Sequence, residues 1–186
     1  MSAERAATLR SALSTHEPAR ISDPDLQDSA VLLSVCERSV PVVPLVLRSD
    51  YRSEHAGEVG FPGGRAEAED GTLRRTALRE AHEEIGLDPD SVEILGRLSD
   101  AATPTGYRIE PYVGHVPDPG SLDRDRTEVE AIYLAGLAEL GDNMRPDPPR
   151  FDCDAVEVRG AAGPSLTVRG TTAGILAEFL SVAGTL

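Results

Sequence analysis

Three glutamates, Glu80, Glu83 and Glu84, stand at a spacing that a helix would gather on one face. Glu80 neighbours both of the others, and Glu83 lies beside Glu84. Carboxylates packed this closely repel one another, and a hard divalent cation relieves the repulsion. Mg²⁺ prefers oxygen ligands and commonly bridges a few protein carboxylates to substrate phosphates. A generic glutamate-rich helix is more often a solvated surface face. Here the trio follows a glycine turn, Gly63-Gly64, carries an Arg at position 79, and ends at Gly86. A solvated face needs none of these.

The helix itself is well specified. Thr72 suits the N-cap, and Leu73, Ala77, Leu78, Ala81 and Ile85 recur at helical spacing to face a core. Gly86 is a natural stop, with Pro89 three residues on. Arg79 and Glu83 form an i,i+4 pair.

The stretch Arg79-Glu80-Ala81-His82-Glu83-Glu84-Ile85-Gly86-Leu87 resembles the second half of the Nudix hydrolase signature, Gly-x5-Glu-x7-Arg-Glu-U-x-Glu-Glu-x-Gly-U, with U aliphatic. The first half departs from it. Fifteen positions separate Gly64 from Arg79, one more than in the signature, and Gly71 stands where the signature has Glu. The acidic turn Glu67-Ala68-Glu69-Asp70 is similar to that of the coenzyme A diphosphatase branch. So is the segment from Leu45-Val46-Leu47-Arg48-Ser49 through Arg52 to His55-Ala56-Gly57-Glu58-Val59-Gly60-Phe61-Pro62-Gly63-Gly64. That branch's motif places its Arg four residues before the Gly, where this chain has Ser53; Arg52 is one residue early. Thr103-Pro104-Thr105-Gly106-Tyr107 and Glu128-Val129 also resemble branch segments, and the likeness runs from about residue 28 to the C-terminus.

The resemblance implies an α/β/α sandwich and metal-dependent cleavage of a pyrophosphate. The substrate would be coenzyme A or its thioesters, giving 4′-phosphopantetheine or its acyl form and adenosine 3′,5′-bisphosphate. Bound Mg²⁺ or Mn²⁺ would neutralise charge, activate water and stabilise the leaving phosphate. By resemblance, Gly64 (through its carbonyl), Glu80, Glu83 and Glu84 would hold metal, with Glu128 a downstream addition. The catalytic set would be Glu83, Glu84 and Arg79. Glu83 is the first choice for orienting or deprotonating water, and Arg79 is expected to hold a glutamate in place. Arg48, Arg52 and Arg65 are candidates for phosphate contact, and Tyr107 for an adenine or pantetheine portion; each is equally open to an ordinary structural role. Another diphosphate substrate, or a non-catalytic ligand-sensing domain, stays open.

Composition narrows the partners. The chain has 186 residues, 32 acidic and 18 basic, for a net charge of -14. Every basic residue is Arg. Such a field repels nucleic acid and anionic membrane; the partner that the resemblance implies is a small-molecule diphosphate. Abundant acid without Lys suggests adaptation to high salt; a genome rich in G and C is the competing explanation. The apolar runs are too short to span a bilayer and the first twenty residues are polar, so a soluble cytoplasmic protein is expected. A homodimer stays open. Cys36 and Cys153 are expected to be free thiols, and His16, His55, His82 and His115 structural or exposed.

Positioning the trio requires a sheet. Residues 1–27 read as an N-terminal helix and a connection, and 28–186 as a single domain. Ala30 to Cys36 and Val42 to Leu47 read as a strand hairpin. Val92 to Asp100, Ile109 to Val116 and Val129 to Leu134 read as further strands. Asp142 to Arg150 reads as a Pro- and Asp-rich loop. Phe151 to Val158 and Ser165 to Arg169 read as a pair, and Thr171 to Val182 as a closing helix. The pattern predicts α/β architecture: a mixed sheet with helices on both faces.

Overall fold

The computed structural model describes residues 2–49, 58–146, 149–157 and 162–184, with the backbone alone for those between 144 and 166. In chain order the elements are α1 (Ser2–Thr15), β1 (Gln27–Cys36), β2 (Val42–Arg48), β3 (Val59–Gly60), β4 (Gly63–Arg65) and α2 (Leu73–Ile85). A 3₁₀ turn (Pro89–Ser91) leads to β5 (Glu93–Arg97), β6 (Ala101–Ala102), β7 (Tyr107–Val116) and β8 (Val129–Gly136). Then come α3 (Leu137–Asp142), β9 (Met144–Pro146), β10 (Pro149–Glu157), β11 (Ala162–Val168) and α4 (Gly170–Ala183).

The main strands run in the order β11-β10-β8-β2-β1-β7-β5. β1 and β7 pair in parallel along ten residues, from Gln27↔Tyr107 to Cys36↔Val116, while the neighbouring pairs are antiparallel. The sheet is therefore mixed. Central β1 is buried on both faces, which is why its sequence is a nearly unbroken apolar run rather than an alternating one.

Successive side chains of β1 enter opposite layers. Ala30, Leu32 and Cys36 pack with Ala77, Ala81 and Ile85 of α2. Leu33 and Val35 pack with Leu9 and Leu13 of α1 and with Ile175, Leu176 and Phe179 of α4. The small Ala77 and Ala81 let α2 approach the sheet closely, and this fixes the height of its glutamates above the strands. Thr72 caps α2 by accepting the Arg75 amide, and Gly86 ends it in the left-handed region, at φ 69°.

Two expected elements differ. The strand expected over Val92 to Asp100 is shorter, β5 ending at Arg97; the Asp100 amide turns to the Ala19 carbonyl, and the short β6 follows beyond the expected end. The loop expected over Asp142 to Arg150 contains β9, which pairs with β10. Backbone pairing at a sheet edge tolerates the prolines there.

Candidate active site

The glycine turn meets the α2 helix at atomic contact. A Cβ on Gly63 would lie 2.4 Å from the Ala30 carbonyl oxygen and 2.7 Å from Val31 Cα, both backbone atoms that cannot yield. A Cβ on Gly64 would lie 2.3 Å from Glu80 Oε1. The missing side chain at Gly63 thus lets the turn lie against β1, and that at Gly64 lets the Glu80 carboxylate rest against the turn.

Arg79 is the hub. Its Nε and Nη2 donate to the two oxygens of Asp70 at 2.8 and 3.0 Å. Nη1 donates to Glu80 at 2.9 Å and to Glu83 at 2.8 Å, and Nη2 also reaches the Arg65 carbonyl at 3.0 Å. Those five bonds use every donor a guanidinium has. Asp70 accepts further from Thr76 Oγ1 and the Glu67 amide. The Arg79 bonds hold its carboxyl well below the usual range.

Asp70 went unassigned in the sequence. It bonds Arg79 from one residue before Gly71, in a turn one residue longer than that of the signature. The signal was present: an acid directly ahead of the gap, in a loop longer by one.

Glu84 is the buried member, with 1% of its side chain exposed. Helical spacing puts it beside Ala81 and Ile85 at the rim of the core, so its oxygens must be satisfied locally. Oε1 accepts from Arg48 Nη1 at 2.8 Å, and Oε2 accepts from the Gly63 amide at 2.9 Å. Burial pushes its pKa up to about 7, against the Arg48 charge and the Gly63 bond, with the Glu80 and Glu128 charges adding to the rise. Burial also raises Glu80. Glu83 is the accessible one, 53% exposed.

Glu128 is exposed, in a loop tied to the end of α2. The Asp123 and Asp125 amides donate to the Ile85 and Glu84 carbonyls, each at 3.1 Å, and the Ser49 amide donates to the Glu128 carbonyl. These bonds cap the helix and carry Glu128 toward Glu84. Arg65 lies over the Tyr107 ring, 5.0 Å from its centroid, at the rim of the turn. Arg48 is bonded to Glu84 and to the Gly63 carbonyl. Arg52 and His55 lie outside the described residues.

Among the described residues no three acidic, His or Cys side chains converge on one point as a ready metal cage. Glu80 and Glu83 are turned onto Arg79, and Glu84 onto Arg48 and the Gly63 amide. The donor set nonetheless suits a hard cation: carboxylates, a glycine turn pressed against one of them, and no competing thiolate or imidazole in their bonds.

The model of the NUDIX domain family matches residues 26–161 of this sequence, more than half of the chain. The chain belongs to the Nudix family. Its Nudix domain is 39% identical over 111 residues to NudL of Yersinia enterocolitica, an uncharacterized Nudix hydrolase, covering 60% of this chain and 57% of that protein. NudL of Klebsiella pneumoniae is 38% identical over 113 residues, covering 61% and 59%. The chain thus spans less than two thirds of the length of these curated relatives. A NUDIX hydrolase from Alicyclobacillus acidocaldarius superposes with a TM-score of 0.58 at 17% identity, over 86% of this chain and 93% of that one. A MutT/nudix family protein from Enterococcus faecalis gives 0.57 at 13% identity, over 97% and 73%. At these identities the likeness is one of fold, the mixed α/β Nudix fold. No helix among the described residues is long and apolar enough to cross a membrane.

Proposed function

We propose that this chain hydrolyses the pyrophosphate bond of coenzyme A or its thioesters, using Mg²⁺ or Mn²⁺. The observation that carries this reading is the contact between the Gly63-Gly64 turn and the Glu80 carboxylate, with Glu83 exposed on the same helix. A carbonyl and several carboxylates, Glu80, Glu83, Glu84 and Glu128 among them, are then available to a cation. When bound, the metal supplies charge neutralisation, an activated water and stabilisation of the leaving phosphate.

The chain's own residues do the rest. Arg79 orients Glu80 and Glu83 through one nitrogen, so the two carboxylates move as a unit. In this reading Glu83 takes the proton from water; it alone of the three is widely open to solvent. Arg65 and Tyr107 offer a cation and an aromatic face at the rim, suited to a phosphate and a planar base. Burial of Glu84 keeps the floor of the turn dry.

The choice of coenzyme A rests on Arg48-Ser49, the Phe61-Pro62-Gly63-Gly64 turn and the acidic turn before α2, not on the catalytic geometry. Another nucleoside diphosphate derivative is the second reading, favoured by Ser53 standing where the branch has Arg.

The test is hydrolysis of coenzyme A with Mg²⁺ and Mn²⁺, at low and molar salt, beside a panel of nucleoside diphosphate compounds, with products identified by mass. Selective release of 4′-phosphopantetheine supports the coenzyme A reading. Cleavage of other diphosphates alone discards the branch and keeps the chemistry. No cleavage by folded protein turns the reading toward a binding domain.

A further inference from the structure

Arg48 closes a ring of hydrogen bonds that has no place in a simple substrate-contact role. Its Nη1 donates to Glu84 Oε1 at 2.8 Å. The other oxygen, Oε2, accepts from the Gly63 amide at 2.9 Å. The Gly63 carbonyl in turn accepts from Arg48 Nη2 at 2.6 Å. Three residues from three elements, β2, β4 and α2, thereby satisfy one another.

The backbone is arranged for this. The β2–β8 register shifts between Leu47 and Arg48, and an irregularity of that kind re-aims a side chain. The Arg48 amide is itself held by the Glu58 carbonyl at 3.1 Å.

We propose that Arg48 is a positioning residue that locks the Gly63-Gly64 turn onto α2 through Glu84. The lock sets the distance between the Gly64 backbone and the Glu80 carboxylate, which are in contact. A planar guanidinium spans two separated acceptors with two parallel donors. A lysine ammonium carries the charge without that fork. The consequence for metal binding and turnover rests on the function proposed above; the lock itself does not.

The experiment compares wild type with Arg48→Lys, Arg48→Met, Glu84→Gln and the Arg48→Met/Glu84→Gln pair, each checked for folding by circular dichroism. Exchange of the Gly63 amide is read in metal-free protein. Arg48→Lys is expected to speed it about tenfold or more, and an unchanged rate overturns the lock whatever the enzyme does. Mn²⁺ affinity and coenzyme A kinetics are read next. Arg48→Lys is expected to weaken Mn²⁺ about tenfold and lower kcat by a similar factor, with KM within about twofold. In the Glu84→Gln background, Arg48→Met is expected to add no further loss, since the group it acts through is gone. A KM raised about tenfold, with kcat and Mn²⁺ affinity unchanged, overturns the proposal in favour of phosphate contact. Losses that multiply in the double variant overturn it too. If wild type cleaves no diphosphate while amide exchange responds as expected, the proposed function fails and the lock stands.

Discussion

Two clusters of arginine and carboxylate sit on this fold, and they differ in balance. Near the β5–β7 edge, Arg20, Arg97 and Arg108 pair with Asp28, Asp100 and Glu110, three of each sign. The connection after α1 straps the cluster down: the Ile21 amide bonds Asp100, and Ala19 bonds both Ser99 and Asp100. Tyr112 adds a hydroxyl to Glu110, and burial together with that bond keeps the phenol protonated. Around α2, by contrast, Arg48 and Arg79 bond four carboxylates, Asp70, Glu80, Glu83 and Glu84, while Glu128 adds its field. The edge cluster is neutral: its buried acids, Asp100 and Glu110, are matched by arginines, although Arg20 and Asp28 reach solvent. The α2 cluster carries surplus negative charge and is open at Glu83. The two clusters differ in charge balance: the α2 carboxylates outnumber the arginines that bond them.

The sharpest way to break this comparison is to neutralise each cluster in turn. Glu80→Gln, Glu83→Gln and Glu84→Gln are each expected to lower turnover about a hundredfold or more, with circular dichroism unchanged. Activity equal to wild type in the three variants would contradict the proposed metal site. Asp100→Ala is expected to do the reverse. It should cost about 3 kcal/mol of stability in denaturant unfolding, by removing the buried carboxylate that Arg97 and Arg108 share, while turnover per folded molecule is kept.

Asp70 sharpens the boundary between the two kinds. It belongs to the α2 cluster but is buried. Its folded pKa lies below the ordinary 3.8. Its stabilisation is therefore present above about pH 4 and is lost as pH falls through the folded value. Thermal unfolding of Asp70→Asn should show a shallower decline than wild type below about pH 4. A parallel decline would detach Asp70 from the Arg79 hub.

The smallest effect concerns the net charge of -14. If the lysine-free composition is an adaptation to salt, molar KCl should raise the unfolding temperature by about 3 to 6 °C through screening. An unchanged temperature favours the codon-bias explanation.

Much of this was legible in the sequence. Helical spacing and the Thr72 and Gly86 caps located α2 almost to the residue, and the apolar run of β1 marked a central strand. Arg79 bonds Glu80 and Glu83, neighbours that helical spacing alone puts within its reach. What could not be read was long-range. Nothing local pairs Arg48 with Glu84, thirty-six positions apart; only the pairing of β2 with β1, on which α2 packs, brings them together. Asp70 escaped for a different reason, because a one-residue insertion moved the acid off its expected place. The edge cluster was invisible because its members come from the α1–β1 connection, β5, β7 and their neighbours, and no motif links them.

The most direct test of the central claim is a calorimetric titration of Mn²⁺ into wild type, Glu80→Gln, Glu83→Gln and Asp100→Asn. Saturable binding to wild type and Asp100→Asn, weakened at least tenfold in the two glutamate variants, is the result this account expects. No saturable binding to wild type, or equal affinity in all four proteins, would contradict it.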